Sequence, residues 1–144
     1  LFDEEGLAAV KRPVIEEGVL KSYYIDDYYG KKLGMKATSG SSSNVIFNKG
    51  TRPLNDMLGS MKNGVFITGF IGGNCNGSTG DFSYGIEGFL IENGKIVQPV
   101  NEMNIAGNMN QFWFNLKELG NDILENQSFR TPSMQFENID LSGL

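Results

Sequence analysis

Apolar and polar positions alternate most clearly over residues 82–91, where Phe82, Tyr84, Ile86, Gly88 and Leu90 interleave with Ser83, Gly85, Glu87, Phe89 and Ile91. A two-residue period predicts a β-strand with one strongly apolar face and one mixed face. Ahead of it, Val65-Phe66-Ile67 is a short β-branched and aromatic run that suits a buried strand. Between the two, residues 72–80 read Gly-Gly-Asn-Cys-Asn-Gly-Ser-Thr-Gly. Glycine at that density frees the backbone for left-handed turns or close approach and weakens any regular element, so a loop is expected. Asn93-Gly94 suits the two central positions of a tight hairpin, which makes residues 95–100 the next strand, with Pro99 near its end. The rest of the chain is organised around residues 65–107.

Upstream, residues 10–15 and 19–24 flank Glu16-Glu17-Gly18 and predict a hairpin. Asp26 or Asp27 can cap a short helix over 28–33, which Gly34 ends. Residues 36–43 are serine-rich and predict a flexible loop, and residues 45–47 a short strand. A helix with Leu54, Met57, Leu58 and Met61 on one face follows, with Thr51 as its expected cap and Pro53 in its first turn, and Asn63-Gly64 ends it. Downstream, Asn108 is placed to cap a second amphipathic helix over 109–119 that stops at Gly120. The tail from 122 to 144 predicts a short strand, a loop and a last strand around 134–139. The expected fold class is α+β in one domain over 1–144: mainly antiparallel sheet, free to curl into a partly closed barrel, with two or three short helices.

Composition narrows the functional classes. With 144 residues, 40% of them hydrophobic, there is material for one sizeable core, while 19 glycines and 4 prolines argue against a helical bundle. A net charge of −5 without any basic block removes the footprint that direct nucleic-acid binding requires. A single cysteine allows no internal disulfide, and neither a leader pattern nor a run of about 18 apolar residues occurs, so a cytoplasmic, non-membrane protein is expected. The chain starts at Leu1 without an initiator methionine and reads as part of something longer, although a processed terminus gives the same start. No histidine occurs anywhere. Serine and cysteine hydrolases on the usual plan need an imidazole base, and zinc peptidases usually need an imidazole ligand.

Each remaining candidate also has a plainer role. Cys75, in the glycine-rich loop, is either a nucleophile or metal ligand, or a small residue tolerated in a turn; the lack of a base and of a second cysteine favours the turn. The same loop lacks the lysine and the following helix of a phosphate cradle. Asp81 and Glu87 share a face of one predicted strand but stand about 20 Å apart, too far for joint acid–base work. Tyr23, Tyr24, Tyr28 and Tyr29 form either an aromatic binding surface or half-buried core, and core is favoured. No catalytic set and no metal site emerge. Gly72, Gly73, Asn74, Thr79, Gly80, Asp81 and Ser83, with Asn104, Gly107 and Asn108, are the candidates for a peptide groove or a subunit contact, because clustered glycines and amides offer main-chain donors.

One long segment carries a family signature. Thr79-Gly-Asp-Phe-Ser-Tyr-Gly-Ile-Glu-Gly-Phe-Leu-Ile-Glu-Asn-Gly94, then Pro99-Val100 and Asn104-Ile-Ala-Gly-Asn108, closely resembles the C-terminal signature of the TldD/TldE (PmbA) family, also called modulators of DNA gyrase. Asp3-Glu-Glu-Gly6 and Val14-Ile-Glu-Glu-Gly-Val-Leu-Lys21 are similar to the hairpin that precedes that family's active-site loops. The resemblance implies a cytoplasmic two-subunit zinc peptidase that acts on small unfolded peptides. In the TldD-like subunit a His-Glu-x-x-x-His helix and a distant cysteine hold zinc, and the TldE-like subunit lacks them. The matching region here, residues 121–143, contains no cysteine, and the Thr-Gly-Asp-Phe-Ser wording is closer to the TldE/PmbA side. The expectation is therefore a C-terminal domain of a TldE/PmbA-like protein, without metal of its own, partnered in an oligomer by a TldD-like subunit that carries zinc. The alternative is a non-proteolytic regulator acting on DNA gyrase or a toxin–antitoxin pair.

Overall fold

Along the chain the computed structural model, which describes residues 2–143, runs β1 (Ile15–Glu16), β2 (Val19–Leu20), α1 (Asp27–Leu33), β3 (Val45–Ile46), α2 (Leu54–Ser60), β4 (Asn63–Cys75), β5 (Asp81–Glu92) and β6 (Lys95–Asn108). It continues with α3 (Met109–Phe114), β7 (Leu116–Leu119), β8 (Phe129–Arg130), β9 (Met134–Phe136) and β10 (Leu141–Ser142). The residues gather into two units: the chain up to Ile46 with Asn126–Arg130, and Phe47–Glu125 with the residues from Thr131 onward.

In the first unit β1 and β2 form the predicted hairpin, turning through Glu17 (φ 52) and Gly18 (φ 75). Its strands are only two residues long, shorter than the sequence predicts. Beyond Leu20 the N–H groups of Lys21 and Ser22 both converge on Val14 O, which ends the ladder. Helix α1 follows the expected chemistry: Asp26 accepts from Tyr29 N at 2.7 Å, and Gly34 closes the helix in the left-handed region at φ 65. The serine-rich stretch is tethered rather than free. The N–H groups of Thr38 and Ser39 donate to Ile25 O, the Thr38 hydroxyl donates to Tyr23 O, and Ser39 is buried. β3 pairs in parallel with β8.

The second unit is built on one sheet in the order β10-β6-β5-β4, with every neighbouring pair antiparallel. Asn93 (φ 49) and Gly94 (φ 76) make the predicted tight turn between β5 and β6. Phe82, Ile86, Val100, Met103 and Ile105 form the buried core of this sheet, against which Val65, Ile67, Leu90, Met109, Phe112 and Ile139 pack. The predicted alternation accounts for Phe82, Ile86 and Gly88, whereas Ile91, expected on the mixed face, is also buried. Pro99 lies well inside β6 and not near its end; among the described residues strand β10 reaches only Asn104 and Ile105, so at Pro99 the strand has a described neighbour on one side only, where a missing N–H is tolerated. Among the described residues the sheet does not close into a barrel. No helix among them is long and apolar enough to cross a membrane.

Three local expectations give way to tertiary contacts. Thr51 does not cap α2, whose N-cap is Pro53 without a side-chain bond; the adjacent Arg52 instead reaches Asp56 O and the Ser60 hydroxyl, and pairs with Glu118 at 2.8 Å. The second predicted helix ends at Phe114 instead of 119. Residues Leu116–Leu119 pair with β9, and strand pairing outweighs the helical spacing of Phe112, Leu116 and Leu119. Gly120 is therefore no helix stop; its N–H donates to Ser133 O. Lastly, β4 runs on through Cys75, so the loop expected over 72–80 shrinks to residues 76–80.

Candidate functional site

The sheet places the predicted candidates at one end of three adjacent strands. Asn74 faces Ser83, which faces Ala106; Cys75 faces Phe82, which faces Gly107; and Asp81 faces Asn108. β4 carries Gly72 and Gly73 in a register shift between Ile71 and Asn74, with φ of 65 and 104. A Cβ at Gly73 would lie 2.3 Å from Ser83 O, so glycine is required for the close approach of β4 to β5. Asn104 lies further inside the sheet, paired with Gly85 on one side and Ser142 on the other.

Thr79, Gly80, Asp81 and Asn108 are joined directly. Asn108 Nδ2 donates to Asp81 Oδ1 and to Thr79 O, both at 2.9 Å, and the Thr79 hydroxyl donates to Asp81 Oδ2 at 2.8 Å. The other amide atom, Asn108 Oδ1, accepts from Asn110 N at 3.0 Å and caps α3, while Met109 N donates to Gly80 O. One asparagine thus ties the turn to the start of a helix. Gly80 (φ 84) supplies the left-handed corner, and Asn76 organises the other side: its Oδ1 accepts from Ser78 N and Thr79 N, and its N–H donates to Asp81 O at 2.8 Å. Asn76 was missed by sequence reasoning, although an asparagine opening Asn-Gly-Ser-Thr is the signal for such a side-chain turn.

The donors from Asn108, and then Thr79, hold the Asp81 carboxyl below the ordinary aspartate range. A carboxylate so satisfied is a poor proton acceptor at neutral pH and serves as a structural anchor. Because its folded pKa is depressed, the tie is complete above the unfolded aspartate value and is lost as pH falls through the folded pKa. In a carboxyl-carbon NMR titration the Asp81 midpoint is expected below 3.8, moving upward in Asn108→Ala. An unmoved midpoint would show that Asn108 does not hold the carboxylate.

Zinc, implied by the family resemblance, does not fit the residues of this chain. There is no histidine, Cys75 stands alone and exposed at the end of β4, and no group of three or more Cys, Asp and Glu among the described residues is placed to hold an ion. The tyrosines, favoured as core from the sequence, are largely exposed; Tyr28 and Tyr29 meet edge-on at 5.2 Å beneath Lys32.

The profile of the PmbA/TldA metallopeptidase C-terminal domain matches residues 1–143. The chain is 33% identical over 144 residues to metalloprotease PmbA of Escherichia coli O157:H7 and 35% identical over 145 residues to a PmbA homologue of Haemophilus influenzae, covering 99% of this chain in each case. It spans 32% of the length of each of these relatives. Among solved structures, a candidate modulator of DNA gyrase from Bacteroides thetaiotaomicron superposes with a TM-score of 0.93 at 50% identity, over 99% of this chain and 33% of that one. TldE from Thermococcus kodakarensis superposes with a TM-score of 0.88 at 25% identity, over 99% and 36%.

Proposed function

The chain belongs to the PmbA/TldA metallopeptidase family as its C-terminal domain, and from that premise we propose that it serves in a TldE/PmbA-like component of a cytoplasmic, two-subunit zinc peptidase acting on small unfolded peptides. Zinc and the catalytic groups come from a TldD-like partner, and this chain helps to shape the chamber in which the peptide lies extended. The observation that carries this reading is the end of β4. Among the described residues β4 has a strand neighbour on one side only, and beside it the tie of Thr79, Asp81 and Asn108 fixes the turn that follows. An unpaired strand edge held by a rigid turn offers main-chain donors and acceptors to an extended peptide. Gly72, Gly73, Asn74 and Ser83 line that end of the sheet, with Asn104, Gly107 and Asn108 on the neighbouring strand as the alternative contact to the partner subunit.

The test is zinc-dependent cleavage of an unstructured peptide by the TldD-like subunit, with and without the intact protein that contains this chain. Cleavage is expected only with both present, and replacing Gly80 and Asp81 together is expected to lower it about tenfold or more with the fold retained. Equal cleavage without this protein would instead favour a non-proteolytic regulator, the reading to which the gyrase-modulator name of the Bacteroides structure points.

A further inference from the structure

At mid-length the three long strands slip register at one level: at Thr68 in β4, at Glu87 in β5, and at Asn101 and Glu102 in β6, where Glu102 has φ 57. Bulges re-aim side chains and recur beside binding sites. Here they open a depression of about 410 Å³, lined by Thr68, Glu87, Phe89, Pro99 and Asn101 among others. Among the described residues no basic one lines it. The Glu87 carboxylate has neither an ion pair nor a hydrogen bond among the described residues; Thr68 donates only to the Glu87 main-chain oxygen, at 3.4 Å. Gly69 makes room for it, because a Cβ there would lie 2.5 Å from Glu87 Oε1.

We infer that this depression is a subsite for a lysine or arginine side chain of the extended peptide, an inference that rests on the peptide reading above. Phe89 and Pro99 suit the methylene stem, and the Glu87 carboxylate, the Thr68 hydroxyl and the Asn101 carbonyl oxygen suit the cationic head. An anion is disfavoured by the same carboxylate. Gly69 is a positioning residue: alanine there displaces the flexible end of Glu87 without removing its charge, and the strand backbone keeps its path.

The intact protein with its TldD-like partner is offered two fluorescent unstructured peptides that differ only in one central residue, lysine or norleucine. The lysine peptide is expected to bind about fivefold more tightly at low salt, as for a partly exposed ion pair. Glu87→Gln and Gly69→Ala should each reduce that ratio to near one, and raised salt should shrink it. Equal binding of the two peptides by the unaltered protein, or a ratio unchanged in Glu87→Gln, overturns the subsite alone. Binding of neither peptide overturns both the subsite and the peptide reading.

Discussion

Gly88→Ala is expected to destabilise the protein by about 3 kcal/mol or more, although it adds one methyl group. Gly88 is buried in β5, and a Cβ built there falls 2.0 Å from Phe66 O and 3.0 Å from Ile67 Cα in β4. Both obstacles are backbone, so no rotamer change relieves the overlap. The neighbouring strand must move away, and the ladder from Asn63 to Cys75 is weakened along with it. Comparing urea midpoints of the intact protein with and without the change tests this; a shift equivalent to less than about 1 kcal/mol would mean that β4 and β5 can separate at Gly88 without loss. Gly69→Ala provides the contrast within the same strand pair, since its added methyl meets the far end of a flexible side chain.

Ile86→Ala is expected to remove about 2–5 kcal/mol, and Ile86→Val only about 1 kcal/mol. Ile86 is 0% exposed and lies in the cluster of Phe82, Val100, Met103 and Ile105. Truncation to alanine loses the transfer free energy of the side chain and leaves a void between three strands tied by dense backbone pairing, which limits collapse. The ratio between the two substitutions is the informative quantity. Equal losses would indicate that the terminal methyl, absent from both variants, carries the packing, and that the rest of the side chain adds little. Equilibrium unfolding in urea, followed by tryptophan fluorescence, suits both variants, since Trp113 belongs to the aromatic group of Phe112 and Phe136 beside this core.

Both residues sit in the Gly-Ile-Glu-Gly stretch of the signature, on the apolar face that the sequence predicts for one strand. Their consequences differ for a reason that periodicity does not carry. Whether a small residue tolerates a methyl group depends on how closely the neighbouring backbone passes, and that distance is set by strand pairing.

The candidate site divides in the same way. Residues around the turn were legible because Asn, Gly, Asp and Thr have local hydrogen-bonding habits, and Asp81 with Asn108 was part of a recognisable segment. The link between Asp81 and Asn108 spans 27 positions and exists only because the β5–β6 hairpin brings its ends together. From the sequence Glu87 is only a carboxylate on the same strand face as Asp81, too far from it for joint acid–base work. Its relation to Gly69, Thr68 and Asn101 comes from register shifts on three strands, and no pattern of apolar and polar residues encodes a shift of that kind.

By itself the sequence determined the local elements with strong short-range chemistry: the Glu17-Gly18 and Asn93-Gly94 turns, a helix cap at Asp26 or Asp27 and another at Asn108, the apolar phase of β5, and the family to which the chain belongs. These depend on residues within a few positions of one another, where intrinsic preference acts before the chain has folded. Tertiary structure alone decided that residues 116–119 leave helical spacing for a strand, that Gly72 and Gly73 become a bulge within β4, and that Arg52 turns to Glu118. In each of these cases a partner distant in sequence supplies hydrogen bonds or burial that outweigh a local preference of less than about 1 kcal/mol per residue.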